Sequence, residues 1–272
     1  MKNIQKNFPQ KIVCLTEETV ETLYAIGAKD LIAGVTAYTK RPPEAQKDNP
    51  VVARYIDADI QMIVDLKPDI VLTWSDLQAD ISAKLIKEGI EVYCFNHRSL
   101  EGIISMVHKL GGITGMNENA ELFASKLSKR LEIAEKKSIQ HSRRPKVYFE
   151  EWYNPLISGI RWVSEIIEVC GGDDIFIENR QYQNAKPRII ENPDEVINRN
   201  PDIILASWCG KPFKKDKLLR RSGWQNINAV KNDMIFEIDS SIILQPGPAC
   251  ILDGIDIIEE IFEKWRNSVE AE

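Results

Sequence analysis

Short apolar runs alternate with amphipathic segments along most of the chain. Residues 11–28, KIVCLTEETVETLYAIGA, predict a buried strand followed by a helix that ends at Gly27. Residues 146–172, KVYFEEWYNPLISGIRWVSEIIEVCGG, repeat that order and end at a second glycine stop. Strands that alternate with helices form parallel βαβ units. The pattern therefore predicts an α/β fold of two similar lobes, each with a parallel central sheet.

One phrase occurs twice, as PDIVLTW at 68–74 and as PDIILASW at 201–208. Each begins with Pro-Asp, continues with branched apolar residues and ends in tryptophan, which is typical of a strand buried on both faces. Ligands of open α/β sheets bind outside the carboxyl ends of the strands. We therefore predict that Trp74 and Trp208 contact a ligand from opposite walls of a cleft between the lobes.

A single amphipathic helix separates the two lobes. Apolar residues recur at spacings of three and four between Ala120 and Ala134, with charged residues on the other faces. The helix is predicted from Glu118 to Ser138, a length of about 30 Å at ~1.5 Å per residue. We expect an N-terminal lobe in residues 1–115, a connecting backbone helix in 116–142 and a C-terminal lobe in 143–272.

Aromatic and polar residues also follow other predicted strands. Some of these residues also have a purely structural explanation. Tyr38, Pro42 and Pro43 are typical of a rigid surface loop, His97 is typical of a hydrogen-bonded loop residue, and Trp152 is typical of a core residue. The candidates for ligand contact beside the two strand-end tryptophans are Tyr38, Pro42, Pro43, Tyr55, Asn96, His97 and Trp152.

Charge and composition exclude several classes of protein. A net charge of −6 argues against nucleic-acid binding, which favours a basic excess. No run of 18 apolar residues is present, so no membrane-spanning helix is predicted. The first residues lack the apolar core of an export signal, and five widely spaced cysteines include no Cys-x-x-Cys pair. We expect a reduced cytoplasmic protein, or a periplasmic or extracellular one if a leader has been removed.

Motifs that carry catalysis are absent from the sequence. There is no phosphate-binding Gly-rich loop, nucleophile elbow or His-Glu-x-x-His pair. Three histidines are too few for a His-rich metal site. The carboxylates, Glu150 and Glu151 included, show no acid–base spacing and are expected to be surface or loop acids. These absences favour a binding protein over an enzyme.

Four segments resemble, in the same order along the chain, the substrate-binding proteins of vitamin B12 and ferric-siderophore ABC importers. They are KIVCLTEETVETLYAIGA, GVTAYTKRPPEAQ, IVDLKPDIVLTW and IIEVCGGDDIF. The cobalamin-binding branch is the most similar. This resemblance implies two lobes joined by a helical backbone and a corrinoid held between them by aromatic residues at strand ends. Trp74 matches that role directly, Tyr38 with Pro42 matches next, and Trp208 occupies the equivalent strand end of the second lobe.

Two further segments, SWCGKPF and ILQPGPACILDG, resemble a cobalamin-binding subgroup that lacks an export signal. The resemblance implies that these loops face the ligand and adds four candidate contacts: Cys209, Lys211, Gln245 and Pro246. His97 or Cys209 is a candidate cobalt ligand, although Cys209 also suits a buried thiol. No other metal site is expected.

The family docks on its importer through an acidic residue on each lobe, and Asp80 is the candidate on the first lobe. The corresponding stretch of the second lobe, 211–221, is strongly basic instead. We therefore expect a non-catalytic cobalamin carrier that serves either an ABC importer or a cytoplasmic acceptor protein.

Three alternatives stay open. One is a ferric-siderophore receptor that uses Arg41, Arg54 and Arg188, or a haem receptor with Tyr38 or His97 as axial ligand. Another is a corrinoid-processing enzyme. The last is a ligand-sensing module that binds a protein partner through its basic 211–221 segment.

Overall fold

The computed structural model describes residues 7–270, and these divide into two units. The first unit contains the chain as far as His97 together with Glu101–Ser128. The second contains Arg98–Leu100 and the chain from Lys129 onward.

A six-stranded sheet forms the centre of the first unit. Its strands are β1 (Ile12–Cys14), β2 (Ile32–Thr36), β3 (Val51–Arg54), β4 (Asp57–Ala58), β5 (Ile70–Trp74) and β6 (Val92–Phe95). They lie in the order β4-β3-β2-β1-β5-β6, and all neighbours are parallel except the β3–β4 hairpin. Because the other strands run in one direction, their carboxyl ends share one edge of the sheet.

Six α-helices accompany or follow these strands: α1 (Glu17–Ala25), α2 (Ala45–Asp48), α3 (Ile60–Leu66), α4 (Ala79–Lys87), α5 (Leu100–Thr114) and α6 (Asn117–Ser138). Short 3₁₀ turns lie at Lys29–Leu31 and Asp76–Gln78. Buried apolar residues of β1, β3, β5, α3 and α4 pack together and form a core cluster. Helix α6 confirms the amphipathic helix predicted from Glu118 to Ser138.

The second unit is built around a shorter sheet. Its strands are β7 (Lys146–Tyr153), β8 (Leu156–Ser158), β9 (Asp173–Asp174), β10 (Ile203–Ala206) and β11 (Ile235–Glu237). Strands β11, β10 and β7 lie side by side in parallel, and the other edge of β7 is shared by antiparallel β8 and parallel β9. The helices are α7 (Arg161–Val169), α8 (Asp194–Arg199), α9 (Lys215–Leu219), α10 (Asn228–Lys231), α11 (Ser240–Ile243) and α12 (Pro248–Glu270), with 3₁₀ turns at Ile177–Gln181, Lys186–Arg188 and Trp224–Asn226.

The predicted fold class, two α/β units with parallel central sheets and a helical backbone, is confirmed. The units are less alike than the sequence pattern indicates. Strand β2 has five residues, whereas its counterpart β9 has two. After β9 the chain leaves the sheet for a 3₁₀ turn, and the β7–β8 hairpin occupies the rest of that edge.

The repeated Pro-Asp has a structural role in both units. The Asp69 carboxylate accepts a hydrogen bond from the backbone N–H of Lys11 at 2.9 Å, just before β1. In the second unit the Asp202 carboxylate accepts one from Lys146 N–H at 2.9 Å, at the start of β7. Each aspartate therefore helps to fix the register between the strand of the repeated phrase, β5 or β10, and the neighbouring strand, β1 or β7.

Candidate functional site

The candidate residues of the first unit lie where its parallel strands end. Trp74 is the last residue of β5. The other candidates lie in the loop after β2, in the β3–β4 turn and directly after β6: Tyr38, Pro42, Pro43, Tyr55, Asn96 and His97. Tyr38 is the most accessible aromatic residue among them, with 48% of its surface exposed.

Trp74 is buried, with only 6% of its surface exposed. Its indole N–H donates to the backbone carbonyl of His97 at 3.3 Å, and the next residue, Ser75, donates its N–H to the Phe95 carbonyl at 2.8 Å. The two strand ends are therefore tied together, and Trp74 and His97 are neighbours. Phe95 and His97 also make an edge-on ring contact at 6.0 Å.

Gln78, which the sequence did not single out, connects three of these strand ends. Its fully buried side chain accepts from Trp74 N–H at 2.9 Å and donates to the carbonyls of Leu15 at 3.1 Å and Tyr55 at 2.7 Å. The turn that positions it begins at Ser75, whose φ of 64° is unusual for a residue other than glycine. Such backbone costs about 1–3 kcal/mol and recurs at functional sites.

The loop after β2 is held by acids at the start of α1. Lys40 N–H donates to the Glu17 carboxylate at 2.9 Å, and the Arg41 guanidinium lies 3.3 Å from a Glu21 carboxylate oxygen. Burial, opposed by the Lys40 bond and reinforced by Glu18, raises the pKa of Glu17 to about 8. The loop that presents Tyr38 thus rests on a buried carboxyl group whose pKa is raised.

In the second unit an aromatic cluster forms at the ends of β7 and β10. It consists of Trp152, Tyr153, Trp208 and Phe213, with ring centroids 5.1 Å, 4.4 Å and 5.1 Å apart in that order. The β7–β8 pairing is irregular between Glu150 and Trp152, so the strict alternation of β7 is lost where the two sequential aromatic residues meet. Trp208 is 3% exposed, while Trp152 and Tyr153 are half-buried.

Glu150 lies beneath this cluster, and its expected place as a surface acid is wrong. The side chain has no exposed surface; it accepts from the Trp208 indole N–H at 3.0 Å and from two Arg221 nitrogens at 2.5 Å and 3.0 Å. The Arg221 guanidinium in turn lies 4.4 Å from the centre of the Trp224 ring. Spacing along the chain gives no sign of this pair, because its members are 71 residues apart.

The neighbouring Glu151 is also paired. It receives two hydrogen bonds from Arg188, at 2.6 Å and 2.9 Å, and Arg188 is 2% exposed. The charge of Arg188 is therefore neutralised within the protein, and that of Arg41 is shared with Glu21. Two of the three arginines named for a ferric-siderophore pocket are thus already engaged.

The remaining candidates occupy two turns of the second unit. Cys209 and Lys211 follow Trp208 and are exposed, and Lys211 N–H donates to the Trp208 carbonyl at 3.1 Å. Gln245 and Pro246 lie between α11 and α12. Although Cys209 is exposed, partial desolvation of its thiol by the surrounding chain, reinforced by the charge of Glu151, raises its pKa. No group of three or more metal-binding side chains occurs within residues 7–270.

A search of protein families matches residues 12–242 to the family described as periplasmic binding protein, and the chain belongs to that family. Its members are binding proteins without catalytic activity, which confirms the predicted absence of enzymatic function. The chain is a substrate-binding protein of the ABC importer type, as the resemblance implied.

Among curated relatives, a vitamin B12-binding protein of Vibrio campbellii is 27% identical over 261 residues, covering 94% of this chain and 90% of the relative. An uncharacterised ABC transporter substrate-binding lipoprotein of Bacillus subtilis, YvrC, is 25% identical over 265 residues, covering 94% and 80%. The periplasmic haem-binding protein RhuT of Roseiflexus sp. RS-1 shares the fold, with a TM-score of 0.80, 20% identity and coverage of 94% and 99%.

These findings correct the expected cytoplasmic location, which is wrong. The family is periplasmic, and a relative that covers 94% of this chain is a lipoprotein. Wide cysteine spacing is not specific to a reducing compartment, because a protein without disulfides folds in either one. Within the part of the chain that the structure describes, no helix has the length and apolar character of a membrane span.

Proposed function

We propose that this protein binds a corrinoid of the cobalamin type and delivers it to an ABC importer. The observation that carries the proposal is the set of aromatic residues at the carboxyl ends of both parallel sheets: Tyr38 and Trp74 in the first unit, and Trp152, Tyr153 and Trp208 in the second. The accessible rings of this set, those of Tyr38, Trp152 and Tyr153, offer flat apolar area to a large macrocycle. An aromatic side chain buries about 150–250 Å² when it is fully covered.

The similarity to the Vibrio campbellii vitamin B12-binding protein, which spans nearly the whole chain, supports a corrinoid as the ligand. Cobalamin carries its own lower axial base, so its recognition does not require a cobalt ligand from the protein. His97 and Cys209 are the residues that would approach cobalt if the protein supplied one.

The more accessible aromatic residues are proposed to make the direct contacts. Tyr38 and Trp152 expose ring surface, whereas Trp74 and Trp208 are almost fully buried. In this view the two tryptophans of the repeated phrase support the edge of the site and offer only a small part of their surface. Pro42, Pro43, Tyr55, Asn96, Gln245 and Pro246 are retained as candidate contacts at the margins.

Calorimetric titration with cyanocobalamin tests the proposal. We expect one site per chain with a dissociation constant in the micromolar range or tighter. Replacing the exposed Tyr38 (Tyr38→Ala) removes about 1–2 kcal/mol of ring contact, which corresponds to roughly 5–30-fold weaker binding. The control is Tyr182→Ala, because Tyr182 is similarly exposed (39%) but is not a strand-end candidate. Absence of heat at tens of micromolar protein contradicts the proposal.

Haem is the second candidate ligand. The exposed phenol of Tyr38 at the end of β2 favours it, because tyrosine is one of the side chains that ligate haem iron. Titration with haemin, followed by its absorbance near the Soret band, separates the two candidates. A Soret shift that Tyr38→Phe abolishes, together with no response to cyanocobalamin, would favour haem.

We propose that the recipient of the ligand is an ABC importer, which the protein meets on the outer side of the membrane. Asp80 is exposed in the first turn of α4 and is the proposed docking acid of the first unit. No acid is proposed for the second unit, whose equivalent surface is the basic 211–221 segment.

A further inference from the structure

Four of the six cations in the basic 211–221 segment lie in ion pairs or over aromatic rings. Lys215 pairs with Asp233 at 2.5 Å and Arg221 pairs with buried Glu150, so these charges are neutralised. Lys211 and Lys217 take part in none of the ion pairs found within residues 7–270. Their ammonium groups lie over aromatic rings instead.

Both lysines reach the ring of Tyr153, and Lys211 also reaches that of Trp152. The Lys211 ammonium lies 5.1 Å from the centre of the Trp152 ring and 6.0 Å from that of Tyr153. The Lys217 ammonium lies 4.4 Å from the centre of the Tyr153 ring. An ammonium group over a ring face is held by the electron-rich surface, but it keeps its charge and its hydrogen-bond donors.

The backbone of the segment is tied to the sheet edge at several points. Lys211 N–H donates to the Trp208 carbonyl at 3.1 Å, and Phe213 N–H donates to the Glu237 carboxylate at 2.9 Å. Arg221 holds the far end of the segment through its buried pair with Glu150. The two lysines are thus carried on an anchored segment beside the aromatic cluster, where their positions are limited before any ligand arrives.

We infer that Lys211 and Lys217 bind an anionic oxygen group carried at the edge of a flat ligand that lies on the aromatic cluster. This inference rests on the proposed function and adds the chemistry of the ligand's periphery. Two unneutralised ammonium groups beside half-buried rings suit a macrocycle whose face is apolar and whose rim is anionic. The anion is either a phosphodiester, as in the nucleotide loop of cobalamin, or a carboxylate, as in the propionates of haem.

Two ligand pairs distinguish these sources. Cobinamide retains the corrin ring of cobalamin but lacks its phosphodiester-linked nucleotide. Haemin dimethyl ester retains the haem ring but lacks free carboxylates. We would measure the dissociation constants of all four ligands for the wild type and for Lys211→Gln/Lys217→Gln. The matched control is Lys214→Gln, because Lys214 is an exposed lysine of the same segment.

We expect the double variant to lose roughly 10–100-fold in affinity for the anionic ligand that the wild type binds, and Lys214→Gln to stay within about twofold. The double variant should also lose its preference for that ligand over its uncharged counterpart. A change in the cobalamin–cobinamide pair assigns the phosphodiester, and a change in the haemin pair assigns the carboxylate. Raising the salt concentration should weaken binding more in the wild type than in the double variant.

If the wild type binds tightly and the double variant keeps the same affinity and the same ligand preference, this inference is overturned and the proposed function still stands. Failure of the wild type to bind any of the four macrocycles overturns both. Thermal unfolding of each variant provides the folding control. Lys214→Gln should melt at nearly the wild-type temperature, and the double variant, which loses the lysine–ring contacts, should melt within about 8 °C of it.

Discussion

The buried pair between Glu150 and Arg221 gives the sharpest test of how the second unit holds its aromatic cluster. In Glu150→Gln the side chain keeps its shape and still offers one oxygen to the Trp208 indole, whose N–H lies 3.0 Å from the carboxylate. The charge is lost, however, and Arg221 is left without its counterion. The perturbation therefore isolates the electrostatic part of the pair.

Removing one member of a buried ion pair costs about 3–5 kcal/mol, because a charge remains in a poorly solvated place. The Glu150 side chain has no exposed surface, whereas that of Arg221 is 17% exposed, so water reaches the guanidinium in part. We therefore expect the lower end, about 3 kcal/mol. For a folding unit of about 150–250 residues this corresponds to a decrease in Tm of roughly 6–12 °C.

Differential scanning calorimetry, with urea unfolding followed by tryptophan fluorescence, measures this change. The control is Glu195→Gln, which removes an exposed pair with Arg199 at 3.3 Å and should cost no more than about 1 kcal/mol. Adding Arg221→Gln to Glu150→Gln removes the uncompensated charge and should restore part of the stability. If Glu150→Gln is no more destabilising than Glu195→Gln, the pair does not hold the cluster.

Three further changes test other parts of the fold. Because the pKa of Glu17 is raised from 4.5 to about 8, the folded state holds this proton more tightly than the unfolded chain, and the free energy of unfolding should fall as pH rises from about 5 to 8. Urea titrations at several pH values measure this dependence, and Glu17→Gln should flatten it. Gly27→Ala places a side chain at a φ of 80° and should cost about 1 kcal/mol in thermal unfolding. Gly112→Ala lies in helix α5, where the added Cβ would make an ordinary van der Waals contact with Asn117 Oδ1 at 3.9 Å, and should be neutral or stabilising. Gln78→Ala removes the hydrogen bonds of this side chain to the Leu15 and Tyr55 carbonyls and to the Trp74 N–H, and should lower stability by at least about 2 kcal/mol. Equal stability of variant and wild type would contradict the role given to this side chain.

The sequence predicted the fold and the strand-end positions of the candidate residues because both depend on local patterns. Alternating apolar runs and amphipathic segments specify parallel strands, and parallel strands bring their carboxyl ends to one edge. Trp74 and Trp208 could therefore be placed at strand ends without knowledge of any contact. The helix ends at Gly27 and Gly171 were also predictable from the sequence, and both glycines have the left-handed backbone that the pattern predicts.

The contacts that organise the site could not be predicted in this way. Gln78 and Glu150 act through partners far away in the chain, and nothing in their local sequence distinguishes them from exposed polar residues. The high burial of Trp74 and Trp208 also depends on neighbours from other strands. The predicted cellular location was wrong for a different reason. Leader and cysteine patterns say less about the compartment of a protein than its membership of a periplasmic family does.

Corrinoid retention during purification is the most direct test of the central claim. Protein produced in the presence of hydroxocobalamin and freed of unbound ligand by gel filtration should be pink, with a corrinoid absorbance spectrum equivalent to about one ligand per chain. Tyr38→Ala protein, prepared in the same way, should retain less. Colourless wild-type protein that is folded by circular dichroism, and that gives no heat with cyanocobalamin, would contradict the assignment of a corrinoid as its ligand.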